Sequence, residues 1–308
     1  MSDRMVDLTT EICGVKFKNP VILASGLLGN TGAIIKRVAK FEPGAITTKG
    51  IGPKNEGYSN PVLIEYAQGS LNAVGLPSPG HEKMIEELKI AREISIPLIV
   101  NIFGKSIEDY GVVAKSVSSV RPAIIEVNIS CPHSKVAGQI FGEDPEVVRE
   151  VVETVKKNSR GIPVSTKLTP NLSASQFLRV AEAAADAGTD AFSAINTVGP
   201  GMVIDIHAKK PVLHNKRGGV EGPGIRPIAI RCVYDLYEKF KLPIIGMGGV
   251  VSGEDAVEMM MAGASAVGVA HAVLIYGMGV FKKINKEIEE FMLENGYSSL
   301  KEIIGAAH

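Results

Sequence analysis

The sequence predicts an α/β protein in which eight parallel strands close into a (β/α)8 TIM barrel. Three observations carry this. Short runs rich in Val, Ile and Ala recur eight times and are apolar nearly throughout, as parallel strands covered on both faces must be. Amphipathic segments, with apolar residues three and four apart, lie between them. Several runs end in a lysine, an amide or a thiol, so one mouth of the barrel collects reactive and hydrogen-bonding groups.

In chain order, residues 7–18 read as a β-hairpin that closes the barrel bottom. Strands follow at 21–25, 45–49, 98–103, 124–130, 164–168, 191–197, 244–248 and 266–270. Helices are expected over 84–94, 147–155 and 177–187, the last stopped by Gly188. The second and third strands start 53 residues apart, and so do the sixth and seventh. A bare strand–helix unit needs about 30 residues, so both gaps hold insertions. These are GIGPKNEGYSNPVLIEYAQGSLNAVGLPSPG after Lys49 and VGPGMVIDIHAKKPVLHNKRGGVEGPG after Thr197. Each begins where a strand ends and is Gly-rich, which suits lids and binding loops better than a second domain. Without a linker, low-complexity tract or charge block, residues 1–308 read as one domain.

The uncharged stretch 259–281 is long enough to cross a bilayer. It holds Gly263, Gly268, His271, Gly277 and Gly279, and it splits at Gly263 into a helix end and a new strand. A barrel segment is therefore expected, not a membrane span. Lys and Arg total 33 against 33 Asp and Glu, so no net charge draws the chain to nucleic acid or an acidic membrane. At 45% hydrophobic and 21% charged it can bury a large core. Three cysteines, Cys13, Cys131 and Cys232, are too few for a disulfide scaffold or the four thiolates of an iron–sulfur cluster. With a polar start, MSDRMVDLTTEICG, that points to the cytoplasm.

The strand ends are Ser25, Lys49, Asn101, the group Asn128, Ser130 and Cys131, Lys167, the pair Asn196 and Thr197, and the pair Gly248 and Gly249. A polar cap explains any one of them but not all of them at one mouth. Lys49 (AITTKG) and Lys167 (VSTKL) sit in apolar frames and need an anionic partner. A Schiff base, a cation facing a reduced flavin and a plain buried ion pair all satisfy that need. In IIGMGGVVSGEDAVE a strand ends in glycines and a helix opens, with Ser252 and Asp255 spaced as a capping box. Such a turn offers backbone N–H groups to one phosphate. No Walker loop or dinucleotide fingerprint occurs.

In NISCPH, period two turns Asn128 and Ser130 inward and places Cys131 just beyond the strand. A thiol so placed can serve as nucleophile or general base. Cys13 and Cys232 read as buried core residues. The histidines His81, His133, His207, His214, His271 and His308 have no ligand spacing, so no metal site is expected.

The motifs NPVILASG (19–26), TTKGI (47–51), NAVGLPSPG (72–80), NIFG (101–104), NISCP (128–132), KLTPN (167–171), INT (195–197), GGVEGPGIRPIAIR (218–231) and GMGGV (246–250) resemble, in order and spacing, the class 1 dihydroorotate dehydrogenases. The cysteine of NISCP marks class 1, since class 2 resembles it but uses serine. VGPGMVIDI and RCVYDLY are most similar to the catalytic subunit of the NAD-linked, two-subunit form, archaeal members especially.

The resemblance implies FMN bound by Ser25, Lys49, Gly50, Asn101, Asn128, Lys167, Ile195, Gly222, Gly248 and Gly249, with its phosphate also near Ala270 and His271. It implies substrate held by Lys49, by Asn72, Ala73, Val74, Gly75 and Leu76, and by Asn128, Asn196 and Thr197. Cys131 would take the C5 proton of dihydroorotate while hydride leaves C6 for the flavin N5. Family likeness further implies a homodimer core and a second subunit that carries FAD and a 2Fe–2S cluster and passes electrons to NAD. Three positions depart from the family pattern. His133 replaces an asparagine and resembles the dihydropyrimidine dehydrogenases, which act on uracil and thymine. Ala270-His271 replaces a phosphate-binding Gly-Thr, and Glu221 stands where a serine is usual, beside the expected phosphate. A flavin enzyme on uracil or thymine and a flavin-free Schiff-base lyase are the alternative readings.

Overall fold

The computed structural model describes residues 6–129, 135–136 and 139–308. Eight parallel strands close a barrel in chain order: β1 (Val21–Leu23), β2 (Ile46–Thr47), β3 (Leu98–Ile102), β4 (Ile124–Asn128), β5 (Val164–Lys167), β6 (Ala191–Ala194), β7 (Ile244–Met247) and β8 (Ala266–Val269), with β8 pairing to β1. Each lies inside a run expected from the sequence. Of the polar ends, Asn101, Asn128 and Lys167 lie at or next to the last residue of their strands, while Ser25, Lys49, Asn196, Thr197, Gly248 and Gly249 fall past theirs.

Helices cover the outside: α1 (Gly32–Ala39), α2 (His81–Ala91), α3 (Ile107–Val117), α4 (Pro145–Asn158), α5 (Ala174–Asp186), α6 (Arg226–Lys239), α7 (Gly253–Met261), the short α8 (His271–Tyr276) and α9 (Val280–Asn295). Their starts follow capping chemistry more than apolar period. Ser173 and Gln176 form a capping box, which begins α5 three residues before the apolar pattern at Phe177. Ser252 and Asp255 form the box expected at α7. The uncharged stretch 259–281 resolves into the end of α7, β8, α8 and the start of α9. Among the described residues no helix is long and apolar enough to cross a membrane.

Two apolar layers hold the barrel. Outward residues such as Leu23, Val100, Val127 and Phe192 pack under the helices. Inward residues, among them Ile22, Ala45, Ile99, Ile124 and Ile245, fill the lower half of the barrel together with Ile12 and Phe17. Those last two come from the N-terminal hairpin, Thr10–Ile12 paired with Val15–Phe17, so the hairpin does plug the bottom. The Thr10 hydroxyl donates to the Ser265 carbonyl at 2.8 Å and locks the plug beneath β8.

Above this apolar floor the inward layer turns polar. Asn101, Glu126, Ser165 and Ser193 are fully buried, and the Ser165 and Ser193 hydroxyls bond at 3.0 Å.

The two insertions do not stand as separate lids. Val198–Gly201, Gly218–Glu221, Gly69–Asn72 and Leu63–Tyr66 form one four-stranded antiparallel sheet in that order. Its central ladder joins the second insertion to the first, with Gly219 opposite Asn72 and Glu221 opposite Ser70. Leu71, Ala73 and Leu213 give the sheet its own small core. The ladder requires glycine at 218, where a Cβ would strike the carbonyl of Asn72 and the side chain of Leu213.

Gly218→Val should therefore part the two insertions while sparing the barrel. Overpacking costs about 1–3 kcal/mol, so trypsin should cut at the exposed Lys209, Lys216 and Arg217 about tenfold faster with far-UV circular dichroism unchanged. Equal cleavage rates would show that the shared sheet does not hold these segments.

Candidate active site

Inward-facing positions at the carboxyl ends of the strands converge on one cleft. Its empty space of about 510 Å³ includes open solvent. Ser25, Lys167, Ile195, Asn196, Thr197, Gly222, Gly248, Gly249, Ala270 and His271 all line it, as do Glu221 and Met247. These come from five different strand ends and from the second insertion.

Asn128, Asn101, Gly50 and the loop before Pro77 follow outward from that lining. Lys167 lies in register with Asn128 on the neighbouring strand. The Asn196 amide donates to Asn128 Oδ1 at 3.2 Å, while Asn196 Oδ1 accepts from the Thr197 N–H at 2.9 Å. Gly50 faces Asn101, since a Cβ there would stand 3.1 Å from Asn101 Oδ1 and 3.5 Å from the Leu76 side chain. That brings the loop of Asn72, Ala73, Val74, Gly75 and Leu76 toward the second and third strand ends. The loop is tied by its own insertion. Asn55 Nδ2 donates to the carbonyls of Gly75 and Leu76, and the Tyr58 N–H donates to that of Val74. Ser130, Cys131 and His133 lie outside the described residues.

Glu126 was not singled out from the sequence, yet it organises the cleft floor. It is wholly buried; its Oε1 accepts from Asn101 Nδ2 at 2.7 Å and lies 4.0 Å from Lys167 Nζ. It precedes Asn128 by two residues, so the period that turned Asn128 and Ser130 inward also turned Glu126 inward. Asn101 is fixed further by the Thr48 hydroxyl, which accepts its N–H at 3.1 Å. Asn101 Oδ1 remains buried without a partner among the described residues. An unpaired buried acceptor at a cleft is unfavourable unless a ligand donates to it.

The electrostatics divide the cleft. Lys49 has no carboxylate within ion-pair distance among the described residues, and burial pushes its pKa below the usual lysine range. Lys167 is 6% exposed, 4.0 Å from Glu126 and within electrostatic reach of Glu221. These cations suit an anionic or electron-rich ligand. At the far end, no main-chain hydrogen bond among the described residues uses the N–H groups of Gly248, Gly249 or Ala270. Gly249 has φ +83, and a Cβ there would press on Arg226, so glycine leaves the amides open. Glu221 also stands at that end, its carboxyl raised by burial against the opposing pull of Ser70, His271, Asn72 and Lys167.

The other described thiols are unsuited to catalysis. Burial raises Cys13 to about 12 and Cys232 to about 11, so both stay protonated near neutrality. Cys13 donates to the Asp190 carbonyl at the barrel bottom, and Cys232 is buried in α6. No group of three or more metal-ligating side chains occurs among the described residues.

Residues 7–292 match the family model for dihydroorotate dehydrogenase. A protein of Methanocaldococcus jannaschii is 48% identical over 306 residues, covering 98% of each chain. One of Methanothermobacter thermautotrophicus is 43% identical over 98% of each chain, and one of Pyrococcus abyssi 45% over 97% of this chain and 99% of its own. All three are named dihydroorotate dehydrogenase B (NAD(+)), catalytic subunit. The likeness carried by the strand-end motifs thus extends over nearly the whole chain, which belongs to the dihydroorotate dehydrogenase family.

Proposed function

We propose that residues 1–308 act as one FMN-binding domain that oxidises dihydroorotate to orotate in pyrimidine biosynthesis, in the cytoplasm. The observation that carries the cofactor assignment is the floor of the cleft. There the Asn101 Oδ1, buried without a partner among the described residues, and the buried Lys167, 4.0 Å from Glu126, suit a flat, polar, electron-rich ligand. Asn101 Oδ1 can accept an N–H of the flavin ring, and Lys167 can stabilise negative charge on it. Ser25, Gly50, Ile195 and Asn128 would hold the ring, and Gly222, Gly248, Gly249, Ala270 and His271 would hold the phosphate. When bound, FMN supplies a hydride acceptor at N5.

Above the flavin, Asn128, Asn196 and Thr197 form a hydrogen-bonded edge that can both donate to and accept from a pyrimidine. Lys49 answers the substrate carboxylate. The loop from Asn72 to Leu76, held by Asn55, covers that side and excludes water. Cys131, three residues past Asn128, takes the C5 proton as hydride leaves C6, creating the C5=C6 double bond of orotate. The electrons pass to a partner subunit with FAD and a 2Fe–2S cluster, and from there to NAD. A homodimer forms the core of the assembly, by analogy with the family. The exposed Met202, Ile204 and Ile206 of the second insertion offer apolar surface for such assembly.

Cys131→Ser should retain FMN yet slow anaerobic flavin reduction by dihydroorotate about a hundredfold or more, the usual loss for a missing general base. Unchanged single-turnover reduction would remove Cys131 from that role.

Lys49 gives a pH signature. Burial favours its neutral form, and a bound carboxylate favours the charged one. Orotate binding, followed by the flavin spectrum, should weaken as pH rises, beginning below the ordinary lysine value of 10.5. Lys49→Met should bind orotate weakly at every pH. A native affinity flat through the alkaline range would place the carboxylate elsewhere.

A further inference from the structure

Two groups at the phosphate end stand in apparent conflict with an anion. Glu221 brings a carboxylate to the cleft wall, and His271 replaces a hydroxyl expected there. They are joined by the fully buried Ser70, whose hydroxyl donates to Glu221 Oε1 at 2.8 Å and lies 3.1 Å from His271 Nδ1. A hydroxyl has one proton to give. Since Ser70 gives it to Glu221, the hydrogen bond to His271 requires the proton to sit on Nδ1. The opposite edge of the imidazole, Cδ2 and Nε2, borders the cleft residue Gly222, where a Cβ would stand 3.1 and 3.2 Å from those atoms. Nε2 is then a bare acceptor unless the chain holds an additional proton.

We infer that Glu221, Ser70 and His271 form a proton-carrying chain that takes up a single proton when the flavin phosphate binds, turning His271 Nε2 into a donor to it. The inference rests on the FMN reading above. With the extra proton the chain is neutral overall, either as carboxylate and imidazolium or as carboxylic acid and neutral imidazole. In the first form Nε2 carries hydrogen directly; in the second the acid donates to Ser70, whose hydroxyl turns to donate to Nδ1, and the imidazole hydrogen sits on Nε2. Without it the chain is anionic and presents a lone pair to the phosphate. The position of Glu221 is explained by this arrangement, because its charge keeps the proton at the site and is cancelled once the proton arrives. Burial of Glu221 acts in the same direction by raising its carboxyl.

The other charged groups around the chain are Lys167, Arg226 and Glu65. Lys167 faces Glu221 from the end of β5. Arg226, beside Gly249, is paired with Asp255 and Glu258. Glu65, across the strand from Ser70, is solvent-exposed and lines an outer cavity with Tyr66, Tyr276 and His271.

The test is calorimetric titration of the flavin-free chain at about pH 8, in two buffers of different ionisation enthalpy. There free phosphate monoesters are dianionic, while imidazoles and carboxylates are ordinarily unprotonated. FMN should bind with uptake of about one proton and riboflavin with none. The FMN Kd should rise with pH by up to about tenfold per unit. Uptake should fall in Glu221→Gln and vanish in the Glu221→Gln, His271→Asn double variant. FMN binding without uptake, equal uptake with riboflavin, or full uptake in the double variant would overturn the inference while leaving the flavin reading intact. Failure of FMN to bind at all would overturn that reading and the inference with it.

Discussion

A carboxylate inside the barrel sets the terms for the rest of the molecule. Glu126 is wholly buried, and an interior carboxylate is strongly unfavourable unless it is paired. Its partners, Asn101 and Lys167, come from the strands on either side of β4. Each is thereby held in one orientation at the base of the cleft, Asn101 with its carbonyl oxygen turned away from Glu126 and without a partner among the described residues. Below this layer the barrel is plugged by Ile12 and Phe17 and filled with aliphatic side chains. Binding chemistry is thus confined to the upper mouth, above a rigid apolar base.

The second constraint is the sheet shared by the two insertions. Residues 151 positions apart in the chain, Ser70 and Glu221, bond across it. Gly69–Asn72 leads into the loop expected over the substrate, and Gly218–Glu221 leads into Gly222 at the phosphate end. One ladder therefore couples the cover of the pyrimidine to the wall of the phosphate site.

The barrel was legible because its signal is local. Apolar runs bounded by glycine and polar residues mark all eight strands, and Ser25, Lys167, Asn196, Thr197, Gly248 and Gly249 at their ends line the cleft. Helix starts were less so: α5 begins at its Ser173–Gln176 box, not at its first apolar residue. The shared sheet was not legible, since its strands are four residues long and pair across distant segments whose complementarity leaves no periodic trace. Glu126 could have been found, two residues before Asn128 on the same face. Ser70 could not, because a serine in a glycine-rich insertion reads as turn chemistry until its neighbours are known. Glu221 was noticed as an anomaly, and only its bond to Ser70 gives it a physical place.

The central claim is that one mouth holds a flavin and a carboxylate-bearing dihydropyrimidine together, with a cation reserved for the carboxylate. The visible spectrum of the FMN-loaded chain, without oxygen, tests this most directly when dihydroorotate and 5,6-dihydrouracil are added in turn. Dihydroorotate should bleach the flavin and 5,6-dihydrouracil should leave it yellow. A flavin left oxidised by dihydroorotate, or bleached equally by the compound without a carboxylate, would contradict the account.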